Sequence, residues 1–528
     1  MKRLSLPTLA LLVMSAACSG TSTPSEEDTG TDGATDDTSA DGGDALPVDG
    51  ADATDSSVDT GDTKPCDTTK TPLEDTCVLR DDLGVFVSSK SGDDANPGTK
   101  TKPVKTIKKA LELGKSKSLR VYACAEEFAE NVTLVDGVDL FGGVDCVGGA
   151  VGLAGQTTLK PASSPVLTVD GTTKGVRVAN VSAVAPSGTA TDVNSIAMVA
   201  RNAKGVVLTN VTLQAGDGAK GADGSFGTLG TPGVKGTNGG KSIPCLPHPV
   251  TGKGGGTAPN KGGDGGEAGC GPFKGDDREP AGGTNATNAT GSFGIGGTPA
   301  SSSVIPCNTG NAGKPGVDGT TGKGGAEIGT FATSYTPADG TGGGNGTAGT
   351  AGGGGGAGYY STLVVADPGS LYSGGAGGGG GSGGGGATGS VAGKGGGGSF
   401  ALLSFDSDVT LDKCSLSSAK GGKGGSGFNQ TSGAPGANGG EGGAPSGRSA
   451  EGINDLGGCA GGSGADGGRG GASGGGGGGP SIVIVFKGTA PKRVAGDVKV
   501  GTGGDPGLAG AGAAAAAAGK AGETYEVK

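Results

Sequence analysis

The chain has 528 residues, 125 of them glycine, with no Trp, one His and three Met; glycine averages about 7% elsewhere. Aromatic residues are 3%, which excludes a conventional side-chain core over most of the length, and a single histidine excludes every metal centre that needs two. The net charge of −11 is local: residues 19–63 carry 13 acidic and no basic residues, and the remainder sums to +2. So nearly neutral a body argues against nucleic acid as a partner.

The amino terminus reads as an export signal. Met1-Lys2-Arg3 is a short positive region, and Leu4 to Met14 is apolar but too short to span a bilayer. Ser15-Ala16-Ala17-Cys18 then resembles the bacterial lipobox, in which the cysteine thiol is acylated, although Ser15 stands where Leu is usual. The resemblance implies a signal peptide over 1–17, lipidation of Cys18 and a membrane as partner through that anchor. Ser19 after the cysteine implies outer-membrane sorting and surface exposure. The competing reading is a plain secretory signal with Cys18 incidental. Residues 18–65 form the lipidated cysteine and an acidic linker of Asp, Thr, Ser, Gly and Ala. Such a segment buries too little to offset its ordering entropy and is expected to be a disordered tether reaching ~35–40 Å.

Export predicts disulfides. Nine cysteines remain after Cys18. Cys124 and Cys146 lie 22 apart, about one solenoid coil, so a stacked bond is expected, closing a loop worth roughly 3 kcal/mol. Cys66 with Cys77 is the next candidate, followed by Cys414 with Cys459 and Cys245 with Cys270.

From residue 66 to 215 the chain reads as an N-terminal cap and a stem. Val85-Phe-Val-Ser88 suits a strand, Ser91 to Thr99 is dense in turn residues, and Pro103 is expected to open a helix that buries Val104, Ile107, Ala110 and Leu111. The series VFVSxxSGDDANPGT, PVxTIxxA, VYACxExFxENV and LFGGVDC, over residues 83–146, resembles the opening of right-handed parallel β-helix proteins. That resemblance implies an all-β, right-handed parallel β-helix solenoid whose first coil is capped by the helix. The family contains polysaccharide lyases and many proteins without known activity, so it speaks to fold more than to reaction. Short β-branched runs at Val166–Val169, Val176–Val178, Ile196–Val199, Val206–Leu208 and Val211–Leu213 agree with it.

An internal repeat extends the stem. Ser195–Leu213 aligns with Ser399–Leu416, matching Ile196 with Phe400, Met198 with Leu402, Leu208 with Leu411 and Leu213 with Leu416, and Ser481–Phe486 is a third, partial copy. Glycine-rich insertions are therefore expected at 216–398 and 420–479, separated by a coil at 399–419 and followed by a final strand and Gly/Ala-rich tail at 480–528. Within them glycine recurs every third residue, as at Gly218 to Gly239 and Gly310 to Gly322, the period of a polyproline-II helix. Two expectations compete, a bundle of such helices and a disordered tract. Composition and spacing also resemble the glycine-rich PGRS-type repeat proteins of bacterial surfaces.

No catalytic constellation or cofactor motif emerges. His248 lies between prolines; GxSxG around Ser382 and Ser473 follows from glycine abundance; Gly240-Lys-Ser242 lacks the first glycine of a P-loop. A β-helix lyase would need a Lys or Arg base near carboxylates, for which Arg177, Arg201, Asp170 and Lys174 are the stem candidates. The leading expectation is a surface-exposed, non-catalytic lipoprotein acting as a structural or adhesion-like scaffold, with extracellular polysaccharide or other surface proteins as partners. The alternatives are a carbohydrate-active β-helix enzyme and a repetitive surface that binds ice or polysaccharide.

Overall fold

The computed structural model describes residues 66–147, 152–241, 251–257, 260–269, 279–289, 292–301, 305–359, 374–444 and 456–528. Cys18, the signal and tether, Cys245, His248 and Cys270 lie outside the described residues. The body after residue 65 has two intimately joined parts, a stack of parallel strands and a lattice of extended glycine segments.

The strands lie in three parallel sheets of seven, six and six strands. The first sheet begins with Gly84–Val87, Arg120–Cys124 and Leu140–Val144 and ends with Val409–Asp412 and Lys492–Arg493. The second runs from Val132–Thr133 through Ser195–Arg201, Ser399–Phe405 and Ser481–Lys487 to Ala521–Glu526; the third runs from Glu127–Phe128 through Thr212–Gln214 and Cys414–Ser417 to Gly496–Lys499. The chain visits first, third and second sheet in that order on each pass. The repeat aligned in sequence is the strand register: Ser195 pairs with Ser399, Ile196 with Phe400, Leu208 with Leu411, Leu213 with Leu416, and Ser399 with Ser481. Alternate apolar residues such as Val178, Leu208 and Leu411 are buried between the sheets, which is why the period-two pattern recurs over successive passes; the last pass, Lys492–Arg493, Gly496–Lys499 and Ala521–Glu526, is largely exposed.

The expected all-β, right-handed parallel β-helix is not what forms. The parallel strands make three separate sheets that do not close on one another, while the expected cap helix, Ile107–Lys117, does form at one end. On the last three passes the third and second sheets are joined by long or glycine-rich excursions, the first of which carries a short hairpin, Thr330–Phe331 with Tyr335–Thr336. The chain leaves there, after Gln214, Ser417 and Lys499, into glycine segments and returns at Ser399, Ser481 and Ala521. The helix also starts four residues after Pro103, because the N-cap is Thr106, whose hydroxyl accepts from Lys109 N. Asp94 accepts from the Lys105 and Thr106 amides, and Glu130 accepts from the Ile107 and Lys108 amides, so the exposed helix start is satisfied from two loops.

The glycine-rich segments do not project as separate insertions. They bond to one another with a three-residue repeat. Along 374–398, the amides of Gly378, Gly381, Gly384 and Ala387 donate to the carbonyls of Cys459, Gly462, Ala465 and Gly468, while those of Gly379, Ser382, Gly385 and Thr388 donate to Thr237, Val234, Thr231 and Thr228. Further neighbours donate to it in the same rhythm: Gly352 and Gly349 to Gly381 and Gly384, Gly440 and Ala437 to Gly379 and Ser382. Bonds leaving in three directions and repeating every third residue define a threefold extended segment, and this one is surrounded by six others. Packing at that distance requires glycine: a Cβ on Gly384 would lie 2.1 Å from the Ala434 carbonyl oxygen.

Candidate functional site

The four stem residues singled out from sequence do not gather. Arg177, in the first sheet, donates from Nε and Nη2 to Asp139 at 3.0 and 2.7 Å, reaches the Thr69 carbonyl from Nη1, and stacks over Phe141 at 5.5 Å. Its guanidinium is thus committed to Asp139, Phe141 and the Thr69 carbonyl, with the side chain still 36% exposed. Arg201 and Asp170 are register partners in the second sheet, and Arg201 Nε donates to the Thr333 carbonyl. Lys174 sits in the turn between, where its amide donates to Asp136. Among the described residues no three His, Cys, Asp or Glu side chains gather as a metal-ligating group.

The two GxSxG serines are lattice parts. Ser382 Oγ accepts from the Val234 amide at 2.7 Å, and Ser473 Oγ accepts from Phe428 N and donates to Val391 O, both at 2.8 Å. Both serines are buried. A hydroxyl at these places supplies an acceptor where no neighbouring carbonyl reaches.

Cys66 is bonded to Cys77 and Cys124 to Cys146. The expected Cys414–Cys459 pair does not form. Cys459 is bonded to Cys307, across two glycine segments that lie side by side, while Cys414 is buried in the third sheet as a free thiol. Burial pushes its pKa up, and Sγ donates to the Leu208 and Asp412 carbonyls at 3.4 Å.

Two concave features stand out among the described residues. The first lies over the second sheet. A hairpin of Thr330–Phe331 and Tyr335–Thr336 emerges from the glycine body and covers Ile196, Val199, Phe400, Leu403, Ile482 and Val485. Sequence inspection passed over it because it is four strand residues between glycine tracts. Tyr335 packs edge-on to Phe400 at 5.2 Å, and burial raises its phenol pKa to about 12, against a lowering contribution from the Gly329 amide that donates to it. Beside the hairpin a recess of about 570 Å³ is lined by Phe331, Lys520, Tyr525 and Glu526, with Lys520 Nζ 5.2 Å over the Tyr525 ring.

The second is a groove of about 400 Å³ in the lattice, between residues 339–343 and 389–394. Lys394 Nζ is bonded to Asp339 at its rim at 2.8 Å, which raises the lysine pKa. The Gly389 and Gly395 amides, which face the groove, donate to Asn345 Oδ1 and Asp339 Oδ1. Similar side-chain acceptors finish the outer faces: Asp217 accepts from Lys420 N, Asp223 from Ser426 N and Asn429 from Ala511 N. No protein-family model, curated protein or solved structure matches the chain.

Proposed function

We propose that this chain is a non-catalytic, lipid-anchored protein of the bacterial envelope whose body is a rigid interaction scaffold displayed at the cell surface. The observation that carries the reading is the cross-bonded lattice. Its three excursions leave the sheets at one corner and bond in register, as Gly218 N to Lys420 O and Gly421 N to Thr502 O, giving a firm, regular face. That face presents Phe226, Leu229 and Leu508 to solvent, with Phe226 58% exposed and edge-on to Phe428 at 4.8 Å. Exposed apolar side chains on a stiff polar surface suit contact with another macromolecule, whether a surface protein or an extracellular polysaccharide. The lipobox-like Ser15-Ala-Ala-Cys18 and the acidic run that follows support the anchor and the spacer.

The test is protease shaving of intact cells expressing the full chain and its Cys18→Ser variant. Release of the body from cells carrying the natural chain, and loss of membrane retention in the variant, are expected. A variant that partitions into membranes unchanged removes the anchor from the reading. Release of unsaturated oligosaccharides from polyuronates, lost on Arg201→Ala, would favour a carbohydrate-active enzyme instead.

A further inference from the structure

We infer that the lattice groove between residues 339–343 and 389–394 is a docking site for an extended polypeptide with glycine at two of every three positions. The inference names a partner chemistry for the scaffold and rests on that reading. The groove continues an interface already filled within the molecule. Farther along, where the same two walls bond directly to each other, segment 262–266 lies against both: Gly377 and Gly380 donate to the carbonyls of Gly266 and Gly263, and Gly263 and Gly266 donate to Gly352 and Gly355. The chain then turns away. At later steps of the same registers the amides of Gly386 and Ala392 on one wall have no acceptor among the described residues, and the carbonyl of Gly343 on the other has no donor among them. The walls therefore repeat the hydrogen-bonding code of the lattice beside a position that no described residue fills.

The internal occupant defines what fits. A Cβ on Gly262 or Gly265, three residues apart, would lie 2.1 or 1.9 Å from the carbonyl oxygens of Gly380 or Gly377. A Cβ on Gly263 or Gly266 would in turn lie 2.5 or 2.7 Å from the amide nitrogens of Gly354 or Ala357 on the other wall, so any chain seated at the same spacing needs glycine at two of every three positions, and only the third can carry a side chain outward. Asn345 and Asp339 hold two of the groove amides with their own oxygens, so an arriving chain exchanges side-chain acceptors for carbonyls there. Main-chain recognition along an extended edge, with side chains excluded at regular steps, is a known mode of peptide capture.

The experiment uses the purified full-length chain and a labelled synthetic peptide of the sequence Lys-Gly-Gly-Asp-Gly-Gly-Glu-Ala, which is that of residues 261–268. A second peptide has its four glycines replaced by alanine. Gly342 offers a position to block the groove, because a Cβ there meets only the Ser390 carbonyl oxygen at 3.2 Å. Saturable binding of the glycine peptide is expected by fluorescence anisotropy, weakened roughly tenfold or more both by the alanine replacements and by Gly342→Phe. If Gly342→Phe does not fold, Val391→Trp, at a lip residue already 55% exposed, gives the same readout. Absence of saturable binding, equal binding of the two peptides, or binding indifferent to a folded blocked variant overturns the inference. None of these outcomes bears on membrane retention or surface exposure, so the scaffold reading is tested separately.

Discussion

Asn180, Asn210 and Lys413 occupy one bend, between the first and third sheets, on three successive passes, with φ of 61°, 53° and 53°. Asparagine tolerates this left-handed region and lysine does not. Asn210 Nδ2 also donates to Asn180 Oδ1 at 2.9 Å, so the first two form a short ladder that Lys413 interrupts. Lys413→Asn is expected to raise stability by roughly 1 kcal/mol, seen as a higher denaturation midpoint; a lower midpoint would mean the lysine has a role the bend geometry does not show. Tyr335 gives a prediction in pH. Its folded pKa of about 12 lies above the ordinary value of 10.0, so the stabilising contribution is complete below pH 10 and is lost as pH rises toward 12. A shift of that size corresponds to on the order of 2–3 kcal/mol. Spectrophotometric titration should resolve one tyrosine ionising together with release of the 330–336 hairpin, and Tyr335→Phe should remove that step.

At the scale of elements, the cap helix and the lattice fail in different ways. Glu130 holds the Ile107 and Lys108 amides at 2.7 and 3.2 Å from outside the helix. Glu130→Ala should cost roughly 1–2 kcal/mol, with faster amide exchange confined to the cap as the check. In the lattice, Gly384→Ala would press a methyl against backbone that cannot rotate away, whereas Gly342→Ala meets one atom, the Ser390 carbonyl oxygen at 3.2 Å, a tight contact relieved by a shift of a few tenths of an ångström. The first should open the lattice to protease and the second should not; equal resistance of the two would contradict the packing. These elements were unevenly legible in the sequence. Strand register was, because Ile196 and Phe400 or Leu208 and Leu411 repeat with their flanks. The glycine period was, because every third position is bare. The fold class was not, because similarity over 83–146 concerns the opening of the stack and carries nothing about how later passes close. The Cys307–Cys459 bond was not either, since it joins residues 152 apart whose proximity depends on which segments neighbour each other. Nothing at a candidate site was legible beyond residue types: Arg177 is one of four stem candidates in sequence and is a clamp on Asp139 in the fold.

For the whole molecule, sheets and lattice were built as one unit and should be separable only with damage. Replacing residues 217–397 by a short linker keeps the registers of Ser399–Phe405 and Ser481–Lys487, but it strips the 330–336 hairpin from Phe400 and Leu403 and leaves 420–443 without the partners that donate to Lys420 and Lys423. The expected product retains β structure, binds a hydrophobic dye, and is cleaved within 420–479 by protease. Full protease resistance of that remnant would show that the second excursion folds without the first. Reducing Cys307–Cys459 should loosen only the lattice, the bond being worth about 5 kcal/mol in the chain-entropy model for a loop of 152 residues.

The lattice interior has a calorimetric consequence. Around Gly378 to Gly386 nearly every buried group is a peptide unit, and almost no hydrocarbon is withdrawn from water. The heat-capacity increment of unfolding comes from apolar exposure and is diminished by polar exposure. Melting the lattice should therefore carry an increment per residue far below that of the sheets, with an enthalpy that changes little with temperature. Its stability curve is then shallow where that of the sheets is domed, and chilling, which weakens hydrophobic burial, leaves the lattice close to its full strength.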